Sequence, residues 1–153
     1  MIKMEKENKE NQQTPTKDVK VKKESSKEVL LALVRIRGEI GISKEIRDTL
    51  DMLKLHKRNF CSIYKATPSV VGMVQKAKDY ITWGEIDEPV LKKLIETRGQ
   101  PNPKDNTRTK SFFRLNSPKK GYGRKGIKKP FSTGGALGNR GEKINDLLKR
   151  MLY

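Results

Sequence analysis

The sequence predicts an α+β fold: a two-layer β-α-β-α-β core with its helices on one face of a sheet, then a basic extended loop and a C-terminal helix. Three observations carry this. Residues 29–37 (VLLALVRIR) form a short, nearly continuous aliphatic and β-branched run, the pattern of a buried central strand. From residue 43 to residue 86, apolar residues recur in turn at helical and at strand spacing. Residues 99–130 then hold ten Lys or Arg against one acid, Asp105, so this segment carries +9 of the chain's net +17.

Each element has a local cause. Residues 1–28 are polar and mixed in charge, with no apolar face, a composition that favours disorder in the free protein. Order is expected from Val29, and Gly38 closes the first strand. Ser43 stands in an N-cap position ahead of Ile46, Leu50 and Leu53, so residues 44–53 predict an amphipathic helix. A basic corner at 55–59 leads into a second strand, 60–65. There Cys61 and Ile63 share one face, and Phe60, Ser62 and Tyr64 the other. Thr67-Pro68 is a helix start, a capping hydroxyl followed by Pro at the first helical position. Val70, Val71, Val74 and Ala77 form the inner face of a helix running to about Tyr80. Gly72 inside it costs about 1 kcal/mol relative to Ala, which a close backbone approach would explain. Residues 81–86 (ITWGEI) predict a third strand, with Trp83 either a core anchor, the favoured reading, or an exposed stacking platform. Pro89 opens a short helix through Val90, Leu91, Leu94 and Ile95, ended by Gly99. The last helix spans 141–151, with Ile144, Leu147, Leu148 and Met151 as one apolar stripe.

At 153 residues the chain is one domain with extensions, divided as a tail (1–28), a core (29–98) and a basic extension (99–153). Hydrophobic residues are only 33%, low for a globular protein, so the core must be small and a partner surface is expected to help stabilise it. Its apolar pattern is expected to close without residues 99–130.

That basic segment points to function. It alternates cations (Lys110, Arg114, Lys119, Lys120, Arg124, Lys125, Lys128, Lys129), aromatics (Phe112, Phe113, Tyr122) and backbone breakers such as Gly121, Gly123 and Pro130. So little aliphatic side chain cannot offset the entropy of ordering, so the segment is expected to order against a polyanion. Cations neutralise phosphates and release counterions, and aromatic or Arg planes stack on unpaired bases. With Arg140 and the basic corner His56, Lys57 and Arg58, these residues form the candidate RNA-binding set. In an extended chain the Phe112 and Phe113 rings point to opposite sides; one is expected to meet RNA and the other to pack on the protein.

Other chemistry finds little support. Cys61 is the only cysteine and His56 the only histidine, so neither an internal disulfide nor a zinc set can form, and no metal or cofactor is expected. No apolar run approaches eighteen residues, nor does the N-terminus carry a signal-peptide core. A cytoplasmic protein without membrane contact is therefore expected. Residues 121–126 (GYGRKG) match G-x-G-x-x-G, but that site needs a preceding strand and an opening helix. Here a basic loop precedes it and Ile127-Lys128-Lys129-Pro130 follows. Gly138-Asn139-Arg140-Gly141 matches the GXXG clamp outside its two-helix context, leaving only a backbone-level phosphate contact before the last helix. Glu85, Asp87 and Glu88 read as a charge preference at a helix start. Nothing assembles a nucleophile, a base and an oxyanion site, so neither an enzyme nor a small-molecule substrate is expected.

Residues 29–87, and above all TPSVVGMVQKAKDYITWGEID at 67–87, resemble the large-subunit ribosomal protein family called L-thirty in its archaeal form, with L-seven as eukaryotic counterpart. FFRLNSPKKGYGRKGIKKPF and GGALGNRGEKINDLLKRML resemble the extension of archaeal and eukaryotic members, which short bacterial ones lack. The resemblance spans about residues 28–152 and implies a three-stranded antiparallel sheet with the first strand in the middle. It further implies a structural constituent of the ribosome bound to large-subunit rRNA, near five-S rRNA and neighbouring ribosomal proteins. The 28-residue tail departs from the family, and no role carries over to it. The alternative is a free-standing RNA-binding or chromatin-type nucleic-acid chaperone, which would share the charge and the loop.

Overall fold

The computed structural model describes residues 29–103 and 109–153; the N-terminal tail and its predicted disorder lie outside the described residues. Six elements follow the predicted order: β1 (Leu30–Arg35), α1 (Lys44–Met52), β2 (Phe60–Lys65), α2 (Pro68–Lys76), β3 (Ile81–Glu85) and α3 (Glu88–Arg98). β1 pairs antiparallel with both β2 and β3, placing Leu33 opposite Ser62 on one side and Trp83 on the other. The three-stranded antiparallel arrangement with β1 central is therefore present, but it is only the middle of the sheet.

The sheet has five strands and is mixed, which corrects the three-stranded expectation. Its order is β4-β2-β1-β3-β5. β4 (Phe112–Arg114) runs antiparallel along β2, with Cys61 opposite Phe113, and β5 (Gly138–Asn139) runs parallel to β3. Both additions come from the last third of the chain. They pair backbone groups that β2 and β3 would otherwise present as open edges.

The two helices of the β-α-β-α-β unit, α1 and α2, share one face as expected, but α3 and the C-terminal helix cover the other, so the molecule has three layers and not two. α1 and α2 cover the Leu33 side with Leu50, Leu53, Val70, Val74 and Ala77. The opposite side, Ala32, Val34 and Cys61, is covered by Val90 and Leu94 of α3 and by Ile144, Leu147, Leu148 and Met151 of α4 (Ile144–Met151). A strand apolar on both sides needs cover on both, and β1 alternates Leu31 and Leu33 with Ala32 and Val34. Phe113 and Leu115 join this second layer. The 29–95 apolar pattern thus does not close by itself; residues from the basic extension complete it.

Local signals behave unevenly. Thr67 caps α2, its hydroxyl accepting from Val70 N at 3.4 Å, whereas Ser43 occupies the N-cap of α1 without a side-chain bond. α2 stops at Lys76, short of Tyr80, and Val71 faces outward at 42% exposure. The close approach expected at Gly72 is absent, since a Cβ there would meet no atom within 4 Å. It occurs instead at Gly84 on β3, where an added Cβ would lie 2.1 Å from Gly141 O and 2.9 Å from Ile144 Cβ. Asn145 secures the same junction: its Nδ2 donates to Glu85 O (3.1 Å) and Glu142 O (3.0 Å), and its Oδ1 accepts from Asp87 N (3.1 Å).

Candidate nucleic-acid interface

The basic corner after α1 is held from beneath by a buried cation. Arg35, 2% exposed, donates from Nη1 to Leu55 O (2.7 Å) and His56 O (2.6 Å), from Nη2 to Gly38 O (3.2 Å), and from Nε to Arg37 O (3.0 Å). Its acceptors are carbonyls, not carboxylates, and burial lowers its pKa. With the corner's carbonyls drawn inward, Lys57 and Arg58 stand exposed. His56 is exposed too, its Nδ1 2.9 Å from Asp51 Oδ1. Lys54 and Asn59 bracket the turn with φ of 58° and 66°, a left-handed conformation that Asn tolerates better than most residues.

Asn59 joins this corner to the distant basic segment. Its carbonyl accepts from Leu115 N at 3.1 Å, its Nδ2 donates to Ser117 Oγ at 3.2 Å, and its Oδ1 accepts from the Tyr122 hydroxyl. Phe112 consequently lies flat against Phe60, centroids 5.2 Å apart, and edge-on to His56 at 6.2 Å. The Arg114 guanidinium covers both phenyl rings at 5.7 and 6.0 Å. Phe113 points the other way and is 6% exposed, while Phe112 is half-buried on the outer side. Tyr122 turns inward, against a small cluster of Ile36, Ala136 and Leu137 with Ile127, and burial raises the pKa of its hydroxyl.

Within residues 121–137 the described part of the basic loop folds back on itself. Glycines let its backbone fold on itself: a Cβ at Gly135 would lie 2.1 Å from Lys129 O, and one at Gly123 2.5 Å from Gly135 O. Ala136 N donates to Lys129 O (2.9 Å), Gly135 N to Pro130 O (3.0 Å) and Lys125 N to Gly134 O (3.2 Å). No helix opens within residues 121–126, so the geometry of a dinucleotide fingerprint is lacking.

Arg140, a member of the candidate RNA-binding set, is turned largely into the protein. It is 7% exposed. Its Nε donates to Thr82 Oγ1 (3.0 Å) and its Nη2 to Tyr122 O and Ala136 O (3.1 Å each), while its guanidinium lies 4.5 Å from the Phe131 ring centre. Burial first, then the charge of Arg150, brings its pKa down to about 10. Arg140 thus ties the loop to β3.

The remaining candidates reach solvent. Arg114, Lys119, Lys120, Arg124, Lys125, Lys128 and Lys129 are exposed, and Lys110 is half-buried with its Nζ 3.4 Å from Gln100 Oε1. Lys119 Nζ lies 4.3 Å from the Tyr153 ring centre. Trp83 is half-buried against the Leu33 layer. Two residues outside the candidate set, Lys143 and Arg150 of the α4 region, face the loop across an open cleft of about 450 Å³. Their only sequence signal was the polar side of the α4 stripe. Cys61 is fully buried, which pushes its thiol pKa up to about 12. Among the described residues, no three His, Cys, Asp or Glu gather to hold a metal, and no helix is long and apolar enough to cross a membrane.

Residues 31–81 match the family model described as ribosomal protein L30p/L7e. The large ribosomal subunit protein uL30 of Nanoarchaeum equitans is 44% identical over 153 residues, covering 80% of this chain and 99% of that relative. The chain belongs to the ribosomal protein L30p/L7e family. Two further archaeal proteins of the same name agree: that of Methanopyrus kandleri at 39% identity (76% of this chain, 100% of the relative) and that of Methanococcus maripaludis at 42% (79% and 98%). The archaeal-type L30p/L7e resemblance carried by residues 67–87 is thereby borne out. L30p/L7e members are structural ribosomal proteins and not enzymes.

Proposed function

We propose that this chain is a structural constituent of the large subunit of the cytoplasmic ribosome, and that it binds large-subunit rRNA through the surface joined at Asn59. The observation that carries this is the meeting of two basic stretches distant in sequence. The 55–59 corner and the 110–129 segment share Asn59 as a hydrogen-bonding hub and expose His56, Lys57, Arg58, Arg114, Lys119, Lys120, Arg124 and Lys125. Cations so placed neutralise successive phosphates and release counterions. Phe112, backed by Phe60 and Arg114, offers an aromatic surface for an unpaired base. Family membership supplies the partner class. We place five-S rRNA and neighbouring ribosomal proteins beside it, because the extension at residues 99–153 resembles that of archaeal and eukaryotic members.

Sucrose-gradient fractionation at moderate salt tests the reading. Stoichiometric recovery in the large-subunit peak is expected. Substoichiometric protein that washes off would favour a free-standing nucleic-acid chaperone. Ultraviolet crosslinking within the subunit should capture five-S rRNA, and its absence from the adducts would remove that neighbour alone.

A further inference from the structure

The G-x-G-x-x-G look-alike has no nucleotide-binding frame, yet its first four residues, Gly121 to Arg124, form one wall of the 450 Å³ cleft, whose opposite wall is the α4 region. Five cations line the cleft, Lys120, Arg124, Arg140, Lys143 and Arg150, against one carboxylate, Asp146. That carboxylate is already engaged by Arg150 Nε at 3.2 Å. Arg150 Nη1 is likewise committed, donating to Lys119 O (3.1 Å) and Gly121 O (2.8 Å). Arg124 and Lys143 are exposed and form no ion pair among the described residues.

Arg140 adds a second, independent sign. More than nine-tenths buried, it has only neutral acceptors, Thr82 Oγ1 on Nε and two carbonyls on Nη2. A buried guanidinium whose acceptors are all neutral, beside a second cation, favours an anion close by. The lowered pKa of Arg140 has the same cause, burial plus the Arg150 charge.

We propose that this cleft seats one backbone phosphate of the bound RNA, gripped by Arg124 from the loop and Lys143 from the start of α4, over Arg140 at its base. A phosphate suits it better than a base. Of the two aromatic rings in the lining, Tyr122 packs against the Ile36, Ala136 and Leu137 cluster, and Phe131 is already covered by the Arg140 guanidinium at 4.5 Å and the Lys143 ammonium at 5.8 Å. An RNA phosphodiester suits it better than a free nucleotide, because no helix opens within residues 121–126 to direct its amides at a pyrophosphate. The inference rests on the rRNA-binding reading and adds a site to it.

Salt-dependent binding of the full chain to a fluorescent single-stranded uridine oligomer tests it. Each lost phosphate contact lowers the log–log salt slope by about 0.7 for a single strand. Arg124→Gln and Lys143→Gln grip the same phosphate, so each alone, and both together, should lower the slope by about one such step. Lys57→Gln, on the other side of the surface, should add its own step to either. Wild-type slopes in both single variants, or two full steps in the double, would overturn the shared site while leaving RNA binding intact. No binding by the wild-type chain would overturn the rRNA reading and the site with it. Inorganic pyrophosphate or adenosine monophosphate should not displace the oligomer at micromolar concentration; displacement would mark a free-nucleotide site instead. Unchanged thermal melts of both variants, whose side chains are exposed, are expected to accompany these results.

Discussion

Replacing Gly84 by Ala should loosen the layer that α3 and α4 form against the sheet. The new Cβ would sit 2.1 Å from the carbonyl oxygen of Gly141, where real Cβ contacts stay beyond 3.0 Å. The obstacle is backbone, so no side-chain rotation relieves it; the turn at Gly141–Lys143 must retreat by about an ångström, and α4 with it. α4 contributes Ile144, Leu147, Leu148 and Met151, all fully buried, and Asn145 bridges the junction with three hydrogen bonds. Overpacking of this kind costs about 1–3 kcal/mol, and weakening even one of the Asn145 bonds adds about 1 kcal/mol. We take about 3 kcal/mol, which for a domain of this size lowers Tm by roughly 10 °C. Gly72→Ala is the matched control. It meets no atom within 4 Å and should gain up to about 1 kcal/mol in helix propensity, raising Tm by roughly 3 °C. Circular dichroism melts of both variants decide the matter. A Gly84→Ala melt equal to wild type, or equal losses in the two variants, would refute the packing argument.

The Phe pair should separate stability from binding. Phe113→Ala should cost about 3–5 kcal/mol in urea denaturation, while Phe112→Leu should leave the fold intact and cost about 1–3 kcal/mol in RNA affinity measured by filter binding. Cys61 sets an alkaline limit. Below pH 9 its thiol is protonated in folded and unfolded chains alike. Above that the unfolded thiol ionises while the buried one holds its proton to about 12, so its contribution to stability falls by roughly 1.4 kcal/mol per pH unit between 9 and 12. Urea midpoints at pH 8 and pH 10 should show a steeper fall for wild type than for Cys61→Ala. Arg140→Met should free the loop from β3; faster amide exchange at Gly135, Ala136 and Leu137 checks this, and unchanged protection there would mean that the three bonds of Arg140 are dispensable.

Local pattern determined a good deal. The spacing of apolar residues placed β1, β2, β3 and the four helices, since each needs only its own face to be apolar and its ends to be marked by Thr67-Pro68, Pro89 or Gly99. It also separated Cys61 and Ile63 from Phe60 and Tyr64, and Phe112 from Phe113, because side chains alternate along any extended backbone. Family membership was legible for a similar reason, in the run 67–87 where capping, core and turn residues are dense.

Tertiary structure alone decided the rest. β4 and β5 are three and two residues long, too short for a periodic signal, and they exist because β2 and β3 lend them partners from 50 or more positions away. Gly72 and Gly84 look alike in sequence, yet only one faces another backbone. Nor does an arginine's charge say where it will sit: Arg35 and Arg140 went inside because remote carbonyls and the Thr82 hydroxyl happened to converge on them, whereas Arg114 and Arg124 found no such set and stayed in water. A local pattern records which side of an element must leave solvent; the acceptors that admit a charge, and the edge that admits a strand, are supplied by chain far away.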